Sequence, residues 1–127
     1  FLRKEHYFKG FGKYSFMQMY GKFLLGRSDS VINSGLPLLE STARSSTIWW
    51  VRLVALQALD SLQSMYAERE KELKSKSISS QSGKTAEGII LAQAIEQAHL
   101  QYEKVHAVFE ELKRSETDKN LLRFYGQ

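Results

Sequence analysis

The sequence contains no cysteine. Disulfides, thiolate nucleophiles and cysteine-ligated zinc are excluded together. The cytoplasm and a bacterial periplasm stay equally open. Proline occurs once, at Pro37, so little interrupts a helix. No apolar run approaches the roughly 20 residues that a membrane-spanning helix needs, and no membrane partner is expected. The β-branched residues do not alternate with polar ones, so a sheet signature is missing. The opening "FLRKEHYFKG" lacks the apolar segment of a secretory signal and a starting methionine. We therefore expect a fragment of a larger chain.

What is present is a globular composition. The 127 residues are 43% hydrophobic and 25% charged, which suits a single domain, 1–127, with its own core. The net charge is +4. Lysine and arginine are mixed with acidic residues over most of the chain, whereas a nucleic-acid binder concentrates them on one face.

The apolar spacing is helical almost throughout. A first helix is predicted over about 13–25, with Met17, Tyr20 and Leu24 in register and Phe16 and Phe23 beside them. The glycines of "HYFKGFGKY" are expected to form a turn ahead of it. Ser28 or Asp29 caps a second helix over about 30–42. Pro37 lies inside it and predicts a kink or a restart. The third helix holds the stretch "STIWWVRLVALQALDSL", apolar nearly all round. Its inner stripe is Ile48, Val51, Ala55, Ala58, Leu62, Met65 and Leu73, and Trp49, Leu53 and Leu56 form a second stripe. From Ala67 the text "AEREKELKSK" turns polar, with Glu70 and Lys74 able to pair. The Ser-rich segment 75–85 reads as a flexible loop. A fourth helix spans about 86–114, with Leu91, Ile95, Ala98, Tyr102, Val105, Phe109 and Leu112 on one stripe. A short last helix is anchored by Leu121, Leu122, Phe124 and Tyr125.

Chemistry-bearing patterns are sparse. His99 and His106 share roughly one helix face with Glu103 and Glu110 nearby, but a metal site needs three or four converging ligands. His6 stands apart. No His-Glu-x-x-His is present. Serines are abundant, without a Gly-x-Ser-x-Gly elbow. Gly83-Lys84-Thr85 resembles the tail of a phosphate loop, yet Ile78 stands where the upstream glycine belongs. "RKEHYFKGFGKY" interleaves Arg3, Lys4, Lys9 and Lys13 with Tyr7, Phe8, Phe11 and Tyr14, which could stack bases but reads better as packing. Glu68, Glu70, Glu72, Glu110 and Glu111 fall on solvated faces, where nothing raises a carboxyl for acid–base work. This segment is therefore not expected to be an enzyme, with no catalytic, cofactor-binding or metal residue.

Val51, Arg52, Ala55, Ala58, Leu59 and Leu62 follow the pattern of the second helix of a HEAT repeat, and the preceding helix carries a proline as HEAT first helices often do. The usual acidic residue before the second helix is replaced by Ser45, Ser46 and Thr47. More specifically, "GLPLLESTARSSTIWWVRLVALQALDSLQSMYAE" and the ending "SETDKNLLRFYGQ" resemble the C-terminal helical domain of bacterial M1-family zinc aminopeptidases. The resemblance covers about residues 14–127. It implies a non-catalytic accessory domain that shapes or covers the route by which peptides reach the catalytic domain. Any zinc would sit in the parent hydrolase, and no cofactor in this segment. The partner implied is the catalytic domain of the same chain or another protein. The second stripe makes Trp49 and Leu53 the candidate interdomain contact.

The expected fold is all-α: antiparallel helix pairs in a short HEAT-like array around a central buried helix. A free-standing HEAT-like scaffold for protein–protein interaction is the other reading. A nucleic-acid-binding helical domain is the weakest.

Overall fold

The computed structural model describes residues 2–46, 48–80, 86–117, 119, 121 and 123, with side chains for all of these except 2–11 and 78–80. Among them are four α-helices, α1 (Leu2–Leu24), α2 (Asp29–Ser45), α3 (Trp49–Ser80) and α4 (Ala86–Ser115), so the protein is all-α. Leu121, expected in a last short helix, is buried; Leu122, Phe124 and Tyr125 lie outside the described residues.

The helix ends follow from local chemistry. Gly26, at φ +82°, takes the left-handed conformation that terminates α1. The Ser28 hydroxyl accepts from the Val31 amide at 3.4 Å and caps α2. Asp29 adds a carboxylate to the first turn, where the helix dipole favours it. Ahead of α3 the Ser46 hydroxyl accepts from the Ile48 amide at 3.3 Å.

Three sequence-based expectations need correction. α1 begins at Leu2, so the glycines of "HYFKGFGKY" are helical rather than a turn. An interior glycine costs a helix only about 1 kcal/mol, which the flanking residues offset. Of the kink or restart expected at Pro37, the restart does not occur, since α2 runs as one helix from Asp29 to Ser45 through exposed Pro37. Residues 75–80, read as part of a Ser-rich loop, continue α3. Extending an existing helix costs far less than starting one. Residues 81–85 lie outside the described set.

Side-chain contacts set the helix directions. His99, His106 and Glu116 meet Glu70, Gln63 and Arg52 in turn, so α4 runs antiparallel to α3. Tyr14, Gly21 and Gly26 meet Trp50, Ala58 and Met65, so α1 runs parallel to α3. Asn33 and Arg44 meet Gln101 and Glu111, which makes α2 parallel to α4. Chain neighbours are thus antiparallel and alternate helices parallel. α2 and α3 form the inner pair, with α1 and α4 as flanks.

α3 is the centre, as its composition predicts. Val51, Val54, Ala55, Leu56, Ala58, Leu59, Leu62 and Tyr66 are all buried. At about 100° per residue they cover more than half of its circumference. Small residues let the helices approach one another. A Cβ on Gly21 of α1 would lie 2.8 Å from the Ala58 Cβ. A Cβ on Gly35 of α2 would lie 2.5 Å from the Tyr20 hydroxyl and 3.0 Å from Leu24. A larger side chain at Gly21 would force α1 and α3 apart, and one at Gly35 would displace the Tyr20 and Leu24 side chains.

Candidate functional site

Polar groups converge where α2, α3 and α4 meet. Tyr66, fully buried on α3, donates its hydroxyl to Asp29 Oδ1 at 2.7 Å and accepts from Gln101 Nε2 at 3.3 Å. Gln101 also exchanges two amide hydrogen bonds with Asn33, at 3.1 and 3.3 Å. Arg69 closes the set, 3.4 Å from Asp29 Oδ1 and with its guanidinium over the Tyr66 ring. Burial pushes the Tyr66 hydroxyl up to about 12, although the bond from Gln101 opposes this. Tyr66 therefore keeps its proton at neutral pH. The group locks three helices in register rather than transferring protons.

A second cluster lies further along α3 and α4, in solvent. His99 Nδ1 is 2.7 Å from Glu70 Oε1, and Nε2 is 2.9 Å from Glu103 Oε1. The hydrogen bond to Glu70 raises the His99 pKa, because both ring nitrogens face carboxylates. Lys74 at 2.8 Å, and then His99, lower the pKa of Glu70. His106 belongs elsewhere: Nδ1 is 2.8 Å from Gln63 Oε1, and the ring stacks on Tyr102 at 5.3 Å. The two histidines thus face different partners and do not converge. Among the described residues no group of three or more His, Asp or Glu side chains is arranged to hold a metal ion.

The other residues singled out in the sequence separate in the same way. Glu111 pairs with Arg44 of α2 at 2.8 Å and Glu110 with Lys113 at 3.1 Å. Glu68 and Glu72 are exposed on the α3 tail. Gly83, Lys84 and Thr85 lie outside the described residues. So do the side chains of Arg3, Lys4, His6, Tyr7, Phe8, Lys9 and Phe11. Trp49 and Leu53 are half-buried against the core rather than either enclosed or fully exposed. Trp50 meets Tyr14 edge-on at 5.6 Å.

Two features escaped the sequence reading. Gln101 sits on the core side of α4, between Ala98 and Val105, and only its position on that stripe hinted at burial. Arg52 reaches across to Glu116 at the far end of α4, and its Nη1 donates to the Ser46 carbonyl at 3.4 Å. Its Nε is buried without a partner. No local signal announces a pair 64 residues apart.

Among the described residues several surfaces are open to solvent, including exposed Ile89, Ile90 and Leu100 on α4. An open groove of about 430 Å³ between α1 and α3 is lined by Met17, Lys22, Val54 and Asp60, among others. The outer face of α1 and α2 exposes Phe16, Met19, Phe23, Val31 and Leu38. No helix among the described residues is long and apolar enough to cross a membrane.

The described residues form an all-α fold with large apolar side chains exposed on α1, α2 and α4. Compared with protein-family models, curated proteins and solved structures, the chain matches none.

Proposed function

We propose that this chain is the non-catalytic C-terminal helical accessory domain of an M1-type metallo-aminopeptidase, placed to shape or cover the route of peptide entry. The observation that carries the reading is the register of α3. Val51, Ala55, Ala58, Leu59 and Leu62, which bear the HEAT-like pattern, all lie on the buried face of α3. Arg52 of the same pattern ties the start of α3 to the end of α4 through Glu116. The proline-bearing α2 packs antiparallel against that helix. Trp49 and Leu53, half-buried at one edge, offer the surface for a catalytic domain.

The coding sequence upstream tests this directly. A His-Glu-x-x-His with a downstream glutamate is expected there, and an open reading frame starting near Phe1 would overturn the proposal. If the motif is present, deleting residues 1–127 from the full enzyme should spare hydrolysis of single aminoacyl chromogenic substrates. The same deletion should alter the preference among peptides of different length. A free-standing scaffold is the second reading, favoured by the exposed apolar side chains of α1 and α2.

A further inference from the structure

α1 has two apolar faces. Met17, Gly21 and Leu24 are buried against α2 and α3. Phe16, Met19 and Phe23 lie on the opposite side and are 55%, 71% and 48% exposed. At about 100° per residue these three fall within about 60° of one another around α1, and Gly12 falls among them. A Cβ on Gly12 would meet nothing within 4 Å, so among the described residues nothing covers that turn of the stripe.

Cations flank this stripe. Lys13 and Lys22 lie about 60° beyond its two edges, and both are exposed. Arg27, past the end of α1, lies over the Phe23 ring at 4.5 Å. Among the described residues no carboxylate pairs with any of the three. The positive charge of the whole chain is gathered in this region. Residues 1–27 hold six lysines and arginines against one acid, Glu5, whereas the other hundred residues hold twelve against thirteen.

We propose that the outer face of α1 docks on an anionic lipid surface. The helix lies along the interface, with Phe16, Met19 and Phe23 at the acyl boundary and the lysines among the headgroups. A helix with aromatic and long apolar side chains on one face and lysine beside them binds in this way. The lysine stems let each ammonium reach the headgroups while the apolar side chains sink. That no described helix can cross a membrane bears on crossing and not on attachment to a surface. A protein partner is the poorer match, because protein interfaces are depleted in lysine. A nucleic acid is poorer still, because bases stack on open ring faces. Here Tyr20 stacks on both Phe16 and Phe23, at 5.8 and 6.3 Å, and Arg27 lies over Phe23. A second copy of the chain would set these cations against one another. The inference stands on α1 alone and does not depend on the peptidase reading.

The test titrates the 127-residue protein with vesicles of phosphatidylcholine and phosphatidylserine, and with vesicles of phosphatidylcholine alone. The mixed vesicles should bind at least about tenfold more tightly, since each basic residue at an anionic surface contributes about fivefold. Raising the salt should weaken that binding. Phe16→Ser with Met19→Ser should weaken it at least about tenfold and leave the helical circular dichroism unchanged, because both side chains are largely exposed. Leu100→Ser, on α4 and similarly exposed, should bind as wild type. Lys13→Glu with Lys22→Glu should remove the preference for phosphatidylserine. The chain has no cysteine, so Met19→Cys accepts a single environment-sensitive fluorophore. That label should brighten on the mixed vesicles, and the same label on Leu100→Cys should not. Equal affinity for the two kinds of vesicle, binding to neither, or a label at position 19 that does not respond overturns the proposal. So does a dimer that Met19→Ser dissociates, which assigns the face to a second copy. Salt-sensitive binding of single-stranded RNA through the same side chains, in place of the vesicles, assigns it to a nucleic acid.

Discussion

α3 is one continuous helix held in two different ways. From Trp49 to Tyr66 it is enclosed by three neighbours, and eight of its side chains are buried. From Ala67 to Ser77 none is buried, and the contacts are ion pairs such as Glu70 with His99 and Lys74. Burial of apolar area supplies most folding free energy, whereas exposed ion pairs supply little. The first half should therefore unfold only with the whole domain, and the second half should open locally.

The largest effect is expected at the centre. Val51→Asp places a charge where the side chain has no exposure. It should destabilise by about 4 kcal/mol or more and leave the domain unfolded, so a thermal melt matching wild type would remove α3 from the core. Next comes Glu116→Ala, which removes the carboxylate partner of Arg52 beside an Nε that already has none and leaves only the bond to the Ser46 carbonyl. The expected loss is about 2 kcal/mol, read from the urea midpoint with an unchanged slope. Tyr66→Phe, at the junction of the halves, removes one bond to Asp29 and one from Gln101. Gln101 keeps Asn33 and Asp29 keeps Arg69, so the cost should be near 1 kcal/mol by the same measurement.

The smallest effect belongs to the solvated half. His99→Ala should leave the global unfolding midpoint unchanged and act on local opening. The His99 pKa is raised by its partners, so its stabilisation is fully present below about pH 6.5 and is lost as pH rises through the raised value. The Glu70 pKa is lowered, so its share is lost as pH falls below about 4.5 toward the lowered value. Amide protection along 67–77 should therefore peak between these limits in the wild type, whereas His99→Ala should lose the fall on the alkaline side and keep the one on the acid side, where Lys74 still pairs with Glu70. A shift of the global midpoint in that variant would mean that the two halves unfold as one.

Much of this division was readable in the sequence. The change from "STIWWVRLVALQALDSL" to "AEREKELKSK" marks where burial ends, because composition reports what solvent each residue tolerates. The helix breaks at Gly26–Ser28 and at Ser46 were readable as well, since caps act within a few residues. The glycines before α1 and the serines of 75–80 misled, because weak local preferences yield to helix propagation. For the candidate site the sequence had less to offer. His99 and His106 looked like a pair by spacing alone, and their partners on α3 divide them.

Sequence alone determined that the chain is helical, where α2 begins and ends to within about a turn, and that α3 is the element to be surrounded. These follow from period, capping and hydrophobicity, which are local. Tertiary structure decided which apolar residues of α1 face inward. Phe16 and Met17 are neighbours of similar hydrophobicity, yet Met17 is buried and Phe16 is exposed. The choice rests on where Gly21 and Gly35 let Ala58 and Tyr20 approach. The joining of Arg52 to Glu116, and of Asn33 to Gln101, has the same origin. Such pairs lie more than 60 residues apart, and only packed helices bring them within reach.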